Sequence, residues 1–299
     1  MDKNNSFLFS VLIANYNNGA YLESAIQSVF LQTYSHWEIV IVDDCSTDNS
    51  MELYKKYEND NRIHIYINEK NHGCGYTKRR CVELASGIIC GFLDPDDTLE
   101  PKALDIMINE HLKDETVSMV YSRYNEVDNN FNFIQVSTIQ QVIPEDSSFL
   151  EFGCISHFVS FKSSLYRRTS GIDKSFLRAV DHDLYYKLEE VGKVKFVDEV
   201  LYNYRTNTGQ NISLGKNVDN AYLWDVIGRI DARRRRELPI EDTVFDDLRL
   251  WGESKANEKI RNSLSFKIGN FLLTPFRWLS PFLNKFSEFN FCGKIYRPF

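Results

Sequence analysis

The sequence predicts an α/β fold with a mostly parallel central sheet flanked by helices, followed by a helical C-terminal extension. Three observations carry that expectation. Short apolar runs alternate with amphipathic stretches of helical period through the first hundred residues. The apolar runs have strand length and end in polar clusters, "NYNN", "DDCSTD" and "DPDD". A hydrophobic content of 43% with 14% aromatics is enough to cover both faces of such a sheet.

"FLFSVLIA" (7–14) reads as the first strand and "AYLESAIQSVFLQ" as the first helix, with Leu22, Ile26, Val29 and Phe30 on one face. "WEIVIV" (37–42) is a buried strand ending at Asp43 and Asp44, and "STDNS" then supplies capping residues for "MELYKKYEND". "RIHIYI" (62–67) alternates as a strand, "YTKRRCVELA" is helical, and "GIICGFL" (87–93) is a further buried strand. Beyond it, "LEPKALDIMI" continues as a helix that Asp97 and Thr98 could cap. "SMVYSRYNEV" is a strand, 128–150 a long loop, and "FVSFKSSLYRR" a strand passing into a helix. "DHDLYYKLEEVG" is a helix with Leu184, Leu188 and Val191 on one face, and "KVKFVDEVLYNYR" one or two strands. From about Gly215 the chain turns helical, with Val218, Ala221, Ile227 and Ile230 at helical intervals. The expected organisation is a catalytic domain over 1–214 and a helical extension over 215–299.

Composition excludes some functions. A net charge of −7 argues against a nucleic-acid partner, whereas acidic clusters suit hard cations. The six cysteines form no CxxC pair, which points to a reducing, cytoplasmic setting. The opening "MDKNNSFLFS" lacks the apolar stretch of a secretory leader, and no run approaches a membrane span. The Phe-rich, Lys- and Arg-dotted segment 263–286 contains Trp278 and suits the headgroup layer, so peripheral contact with the inner face of the plasma membrane is expected there. The "RRRR" run (233–236) reads either as a solvated helix face or as a contact for anionic lipid.

Ligands of parallel α/β sheets bind beyond the carboxyl ends of the strands, where the polar clusters fall. "GFLDPDDTLEP" is the densest of them: Asp94, Asp96 and Asp97 sit within four positions. A helix cap needs one oxygen; three neighbouring carboxylates need a cation or must take up protons. A divalent ion bridging a diphosphate removes the repulsion. "VDDCSTD" reads equally as a turn and as acceptors for ribose hydroxyls or base N–H groups. Asp181, ahead of a helical pattern, reads as a cap or as a general base. His157, in "CISHFVSF", is either structural or close to an acceptor pocket.

In their order these stretches resemble the family 2 glycosyltransferases of GT-A type. "SVLIANYN" stands where the family has a strand ending in Pro-x-Tyr-Asn, and "IVDDCSTDNS" matches Val-Asp-Asp-Gly-Ser-Thr-Asp. "NHGCGYTKRRCVELASGIICGFLDPDD" matches the run ending in Leu-Asp-x-Asp-Asp, and "SGIDKSFLRAVDHDLYYKLEEVGKV" the Glu-Asp-x-Asp-Leu segment. The likeness spans about 8–213, and 179–213 is similar to chondroitin and hyaluronan synthase-type catalytic domains. It implies a GT-A fold and an inverting, metal-assisted transfer from a nucleotide-diphospho-sugar, UDP-linked, to a saccharide or lipid-linked saccharide in bacterial surface polysaccharide synthesis. It implies that Tyr16 and Asp44, with Asp43 beside it, hold uracil and ribose, and that Ala14, Lys78, Asp94 and Asp96 belong to the nucleotide site. Asp96 and Asp97 would ligate Mn²⁺ or Mg²⁺, and Asp181 would be the catalytic base. Ala14 replaces the family's Pro, Val180 the Glu before the base, and Asn207 a His that helps hold the metal. The latter two departures leave room for an inactive nucleotide-sugar binder. A sugar-nucleotide pyrophosphorylase is a weaker alternative, because "NYNNG" is a poor phosphate loop.

Overall fold

The structure is a computed structural model that describes residues 7–206, 218–240 and 249. The chain divides into two compact units, Met1–Ile240 and Glu241–Phe299. Segment 263–286 and Asn207 lie outside the described residues.

The elements run β1 (Phe9–Asn15), α1 (Gly19–Phe30), β2 (Trp37–Asp43), α2 (Ser50–Lys55), β3 (Ile63–Ile67), α3 (Cys74–Leu84), β4 (Ile89–Phe92), β5 (Thr98–Leu99), α4 (Ala103–Lys113) and β6 (Val117–Val127). They continue as β7 (Phe133–Val136), α5 (Phe149–Phe152), β8 (Val159–Lys162), α6 (Ser163–Tyr166), α7 (Val180–Glu189), β9 (Lys193–Arg205) and α8 (Val218–Arg235). The strands form one sheet in the order β3-β2-β1-β4-β8-β6-β9-β5, with β7 paired to β6. The first four are parallel; β8 then runs antiparallel to both β4 and β6.

Alternation along the strands builds two cores. Phe9, Val11 and Ile13 of β1 with Ile39 and Ile41 of β2 pack on one face, against α1 and α4. Leu12, Val40 and Val42 point to the other face, against α3, α5 and α7. Each fully buried aliphatic side chain contributes about 1.5–3 kcal/mol, so register is tightly set.

Three local departures from expectation have physical causes. The helix after "DPDD" begins at Ala103, because Thr98 and Leu99 pair instead with Asn203 and Tyr202 of β9. The loop expected over 128–150 contains β7, whose four residues are all exposed and so carry no burial pattern. On α8, Ile227 is 44% exposed while Val226 and Ala232 are buried. The inward face is chosen by polar contact with α7: His182 Nδ1 lies 2.7 Å from Asp225 Oδ1, and Arg235 and Arg236 pair with Glu190 and Glu189. Two members of the "RRRR" run therefore brace α7 rather than facing solvent together. No helix among the described residues is long and apolar enough to cross a membrane.

Candidate active site

The carboxyl ends of β1, β2 and β4 open into a cleft of about 590 Å³. Its wall includes Ala14, Tyr16, Asp44, Lys78, Asp94, Asp96, His157 and Asp181. Eight residues singled out in the sequence thus meet at one mouth. Asp43 and Asp97 are not on that wall; both are buried behind it.

The carboxylates of the β2 rim are bonded within the fold. Asp43 Oδ2 accepts from Asn15 Nδ2 at 2.9 Å and from the Tyr54 hydroxyl at 2.6 Å, while Oδ1 accepts the Ser46 amide at 2.6 Å. Strand alternation turns its neighbour Asp44 the other way. Asp44 accepts from Asn68 Nδ2 at 2.7 Å and from the amides of His72 and Gly73 at 2.9 and 2.8 Å. Two amide oxygens here, Asn15 Oδ1 and Asn18 Oδ1, are buried without a partner. Tyr16 stands over the rim, 45% exposed.

The opposite wall is assembled by topology. Because β8 runs antiparallel to β4, the residues just before β8 lie beside those just after β4. His157 Nδ1 is accordingly 3.8 Å from Asp94 Oδ2. The end of β9 reaches the same place: Tyr202 donates its hydroxyl to Asp97 Oδ2 at 2.8 Å, and the Arg205 amide donates to Asp97 Oδ1 at 2.7 Å. Asp97 therefore caps no helix. One ligating atom each from Asp94, Asp97 and His157 can lie within 4.8 Å of one another. The imidazole stacks on Tyr204 at 4.8 Å and on Tyr202 at 5.4 Å, which fixes its plane. Burial lowers the His157 pKa against the pull of Asp94 and Asp181, so the ring is neutral near pH 7. Burial, reinforced by the negative charge of Asp96 and Asp94, pushes the Asp97 carboxyl well above the usual carboxylate range.

Between the walls stands Lys78, only 5% exposed. Its Nζ is 2.7 Å from Asp181 Oδ1 and 3.4 Å from Asp94 Oδ1, and it sits 4.9 Å from the centre of the Phe92 ring. Burial alone would raise the Asp181 pKa, but the Lys78 ammonium outweighs it and holds the carboxylate below its ordinary range. The same two carboxylates keep Lys78 charged in spite of its burial.

Two glycines make that approach of α3 to α7 geometrically available. A side chain at Gly75 would come within 2.5 Å of the carbonyl oxygens of Asp173 and Phe176, and the Gly75 amide donates to Phe176 O at 2.9 Å. Gly73 enters α3 at φ +89°, which L-residues rarely adopt. Non-glycine residues also take left-handed conformations around the cleft, namely Asn17, Cys45 and Ala179. Such strain persists where the surroundings over-determine it.

Sequence reasoning missed Tyr202, Tyr204, Asn15 and Arg178. The i, i+2 spacing of the two tyrosines was a usable signal once β9 was known to be one continuous strand; for Arg178 there was none.

Comparison with known proteins agrees with this architecture. The "Glycosyl transferase family 2" profile matches residues 10–171. The chain is 33% identical over 210 residues to a chondroitin synthase of Escherichia coli, covering 70% of this chain and 30% of that protein. It is 34% identical over 221 residues to a chondroitin synthase of Pasteurella multocida (strain Pm70), covering 71% of this chain and 22% of that one. It therefore spans less than a third of these curated relatives. Among solved structures, S. aureus TarS 1–349 in complex with UDP-GlcNAc aligns with a TM-score of 0.61 at 21% identity, over 74% of this chain and 65% of that one. That likeness carries the fold, which is of GT-A type.

Proposed function

Since the chain belongs to glycosyl transferase family 2, we propose that it moves a sugar from a UDP-linked donor to a hydroxyl of a saccharide or lipid-linked saccharide. The product would be a bacterial surface polysaccharide, a class suggested by the names of the relatives, and the anomeric configuration would invert. The observation that carries this reading is the Asp94–Lys78–Asp181 bridge at the mouth of the parallel strands. It holds one ionised carboxylate against an open cleft, where an attacking hydroxyl needs a base.

In that reading Tyr16, Asp44 and the orphan oxygens of Asn15 and Asn18 receive the nucleoside, whose hydroxyl and N–H groups satisfy buried acceptors. The acceptor hydroxyl gives its proton to Asp181 as its oxygen bonds the anomeric carbon. The bond from that carbon to the phosphate oxygen breaks, and its electron pair leaves with the diphosphate. A single in-line displacement inverts the centre.

Two carboxylates and a neutral imidazole suit Mn²⁺, and the carboxylates alone suit Mg²⁺. Asp94, Asp97 and His157 would hold the ion, with Asp96 on the adjoining wall. When bound, the ion supplies positive charge against the diphosphate.

Substituting Asp181→Asn tests the reading. We expect kcat to fall by about 10²–10⁴, the usual contribution of a positioned base, with UDP affinity within a few-fold of wild type. Nucleotide release from UDP-, GDP- and TDP-sugars across an acceptor panel is the assay. Undiminished transfer by the variant would remove Asp181 as base. Nucleotide binding by wild type with no transfer to any acceptor would favour a binding protein.

A further inference from the structure

We propose that Arg178 contacts the β-phosphate of the donor and takes up the charge that develops there as the sugar departs. The inference rests on the donor reading above. It follows from comparing the cations at the cleft.

Lys78 already lies between two carboxylates, at 2.7 and 3.4 Å. Arg205 also has unpartnered donors, Nε and Nη2, but it is buried behind the wall and does not line the cleft, its guanidinium 3.9 Å from the Phe131 ring centre and 4.6 Å from that of Tyr21. Arg178 is different. It lines the cleft with Asp94 and Asp181, and among the described residues no ion pair to a carboxylate is formed by it. Its Nη1 donates only to the carbonyl of its neighbour Leu177, at 2.7 Å, and its Nε is buried with no partner. A guanidinium at a cleft wall with unused donors matches a phosphate, which accepts two parallel N–H bonds from its fork.

Its position is fixed from both sides. The Phe176 carbonyl is tied to the Gly75 amide at the start of α3, and Ala179 turns through φ +51° into α7. Arg178 is near enough to the Cys74 thiol of α3 to act on it electrostatically. It thus stands between the α3 end of the cleft and Asp181, three residues before the proposed base.

The charge that develops in the step gives such a group a role beside the ion. As the bond from the anomeric carbon to the phosphate oxygen breaks, the electron pair stays with the diphosphate, which gains one negative charge. The acceptor proton moves to Asp181. Lys78 is released from Asp181 only once that proton has arrived, whereas Arg178 is available from the outset.

Titration calorimetry on the full chain with Mn²⁺ present, using UDP, UMP and uridine against wild type, Arg178→Gln and Arg178→Lys, tests this. Loss of one charge-assisted contact should weaken UDP by roughly 10- to 100-fold in Arg178→Gln. UMP and uridine should stay within about twofold, and Arg178→Lys should recover part of the UDP affinity. An unchanged UDP affinity, or UDP and UMP weakened by the same factor, would overturn the assignment. A wild-type chain that binds none of the three would instead sink the donor reading on which it rests. Should Arg178→Gln fail to fold, Arg178→Lys alone decides, through its ratio of UDP to UMP affinity.

Discussion

The two sides of the cleft treat negative charge in opposite ways. At the β2 rim, Asp43 has each oxygen bonded by donors of its own fold, and Asp44 holds a side-chain amide and two backbone amides. At the β4 and α7 side, Asp94 and Asp181 share one ammonium, and Asp97 is buried among like charges. On the first side the two carboxylates are bonded within the fold and hold loops in place, and what is left unpaired is amide oxygen, at Asn15 and Asn18. The second is short of positive charge. Clustered aspartates therefore mean different things a few residues apart: both oxygens of Asp43 and of Asp97 are bonded within the fold, but only Asp97 is crowded by other carboxylates.

The largest effect should come from breaking the first side. Asp43→Ala strands the Tyr54 hydroxyl and the Ser46 amide, while the Asn15 amide keeps the Ser50 and Tyr54 oxygens. We expect a loss of about 2 kcal/mol or more in urea unfolding, since each stranded donor costs on the order of 1–3 kcal/mol. A midpoint close to wild type would place Asp43 in ligand binding rather than in the fold.

Lys78→Met acts on the other side. In wild type the ammonium keeps Asp181 ionised below the ordinary carboxylate range, so if Asp181 is the base, as proposed, the acid limb of kcat/KM lies at low pH. Without it, burial is unopposed and raises the carboxyl pKa. The acid limb should then move to higher pH, and the variant should lose rate on acidification before wild type does. An acid limb that stays put would show that Lys78 does not set the charge of the base.

The smallest effect concerns strain at the rim. Cys45 sits exposed to half-buried at φ +66°, a conformation that costs an L-residue about 1 kcal/mol. Cys45→Gly should raise stability by about 0.5–1 kcal/mol in the same unfolding assay, with nucleotide affinity unchanged. Destabilisation would mean that the thiol contributes contacts that outweigh the strain.

Much of this contrast could be read from residue order, and the reasons for the remainder are specific. The parallel half, β1 to β4, was legible because its strands are continuous apolar runs, and their polar ends marked the cleft. The partition of Asp43 from Asp44 was legible in principle, because adjacent strand residues face opposite ways. Where the family pattern has a glycine this chain has Cys45, at φ +66°, a signal that the sequence reading passed over. The grouping of Asp94 and Asp97 with His157 was not legible: it depends on β8 running antiparallel between β4 and β6, which no local pattern encodes. The α8 face was misjudged because apolar spacing was followed, whereas Asp225 and the terminal arginines set the orientation through α7.

If a divalent ion and a diphosphate together complete the second wall, as proposed, nucleotide affinity must depend on the metal. The direct measurement is UDP affinity by calorimetry with Mn²⁺ and with chelator, for wild type, Asp94→Asn and His157→Ala. The account predicts that Mn²⁺ tightens UDP binding at least about tenfold in wild type and does little in either variant, as removal of one ligand from a small set should. Equal UDP affinity with and without metal in wild type, or an undiminished metal effect in both variants, would contradict it.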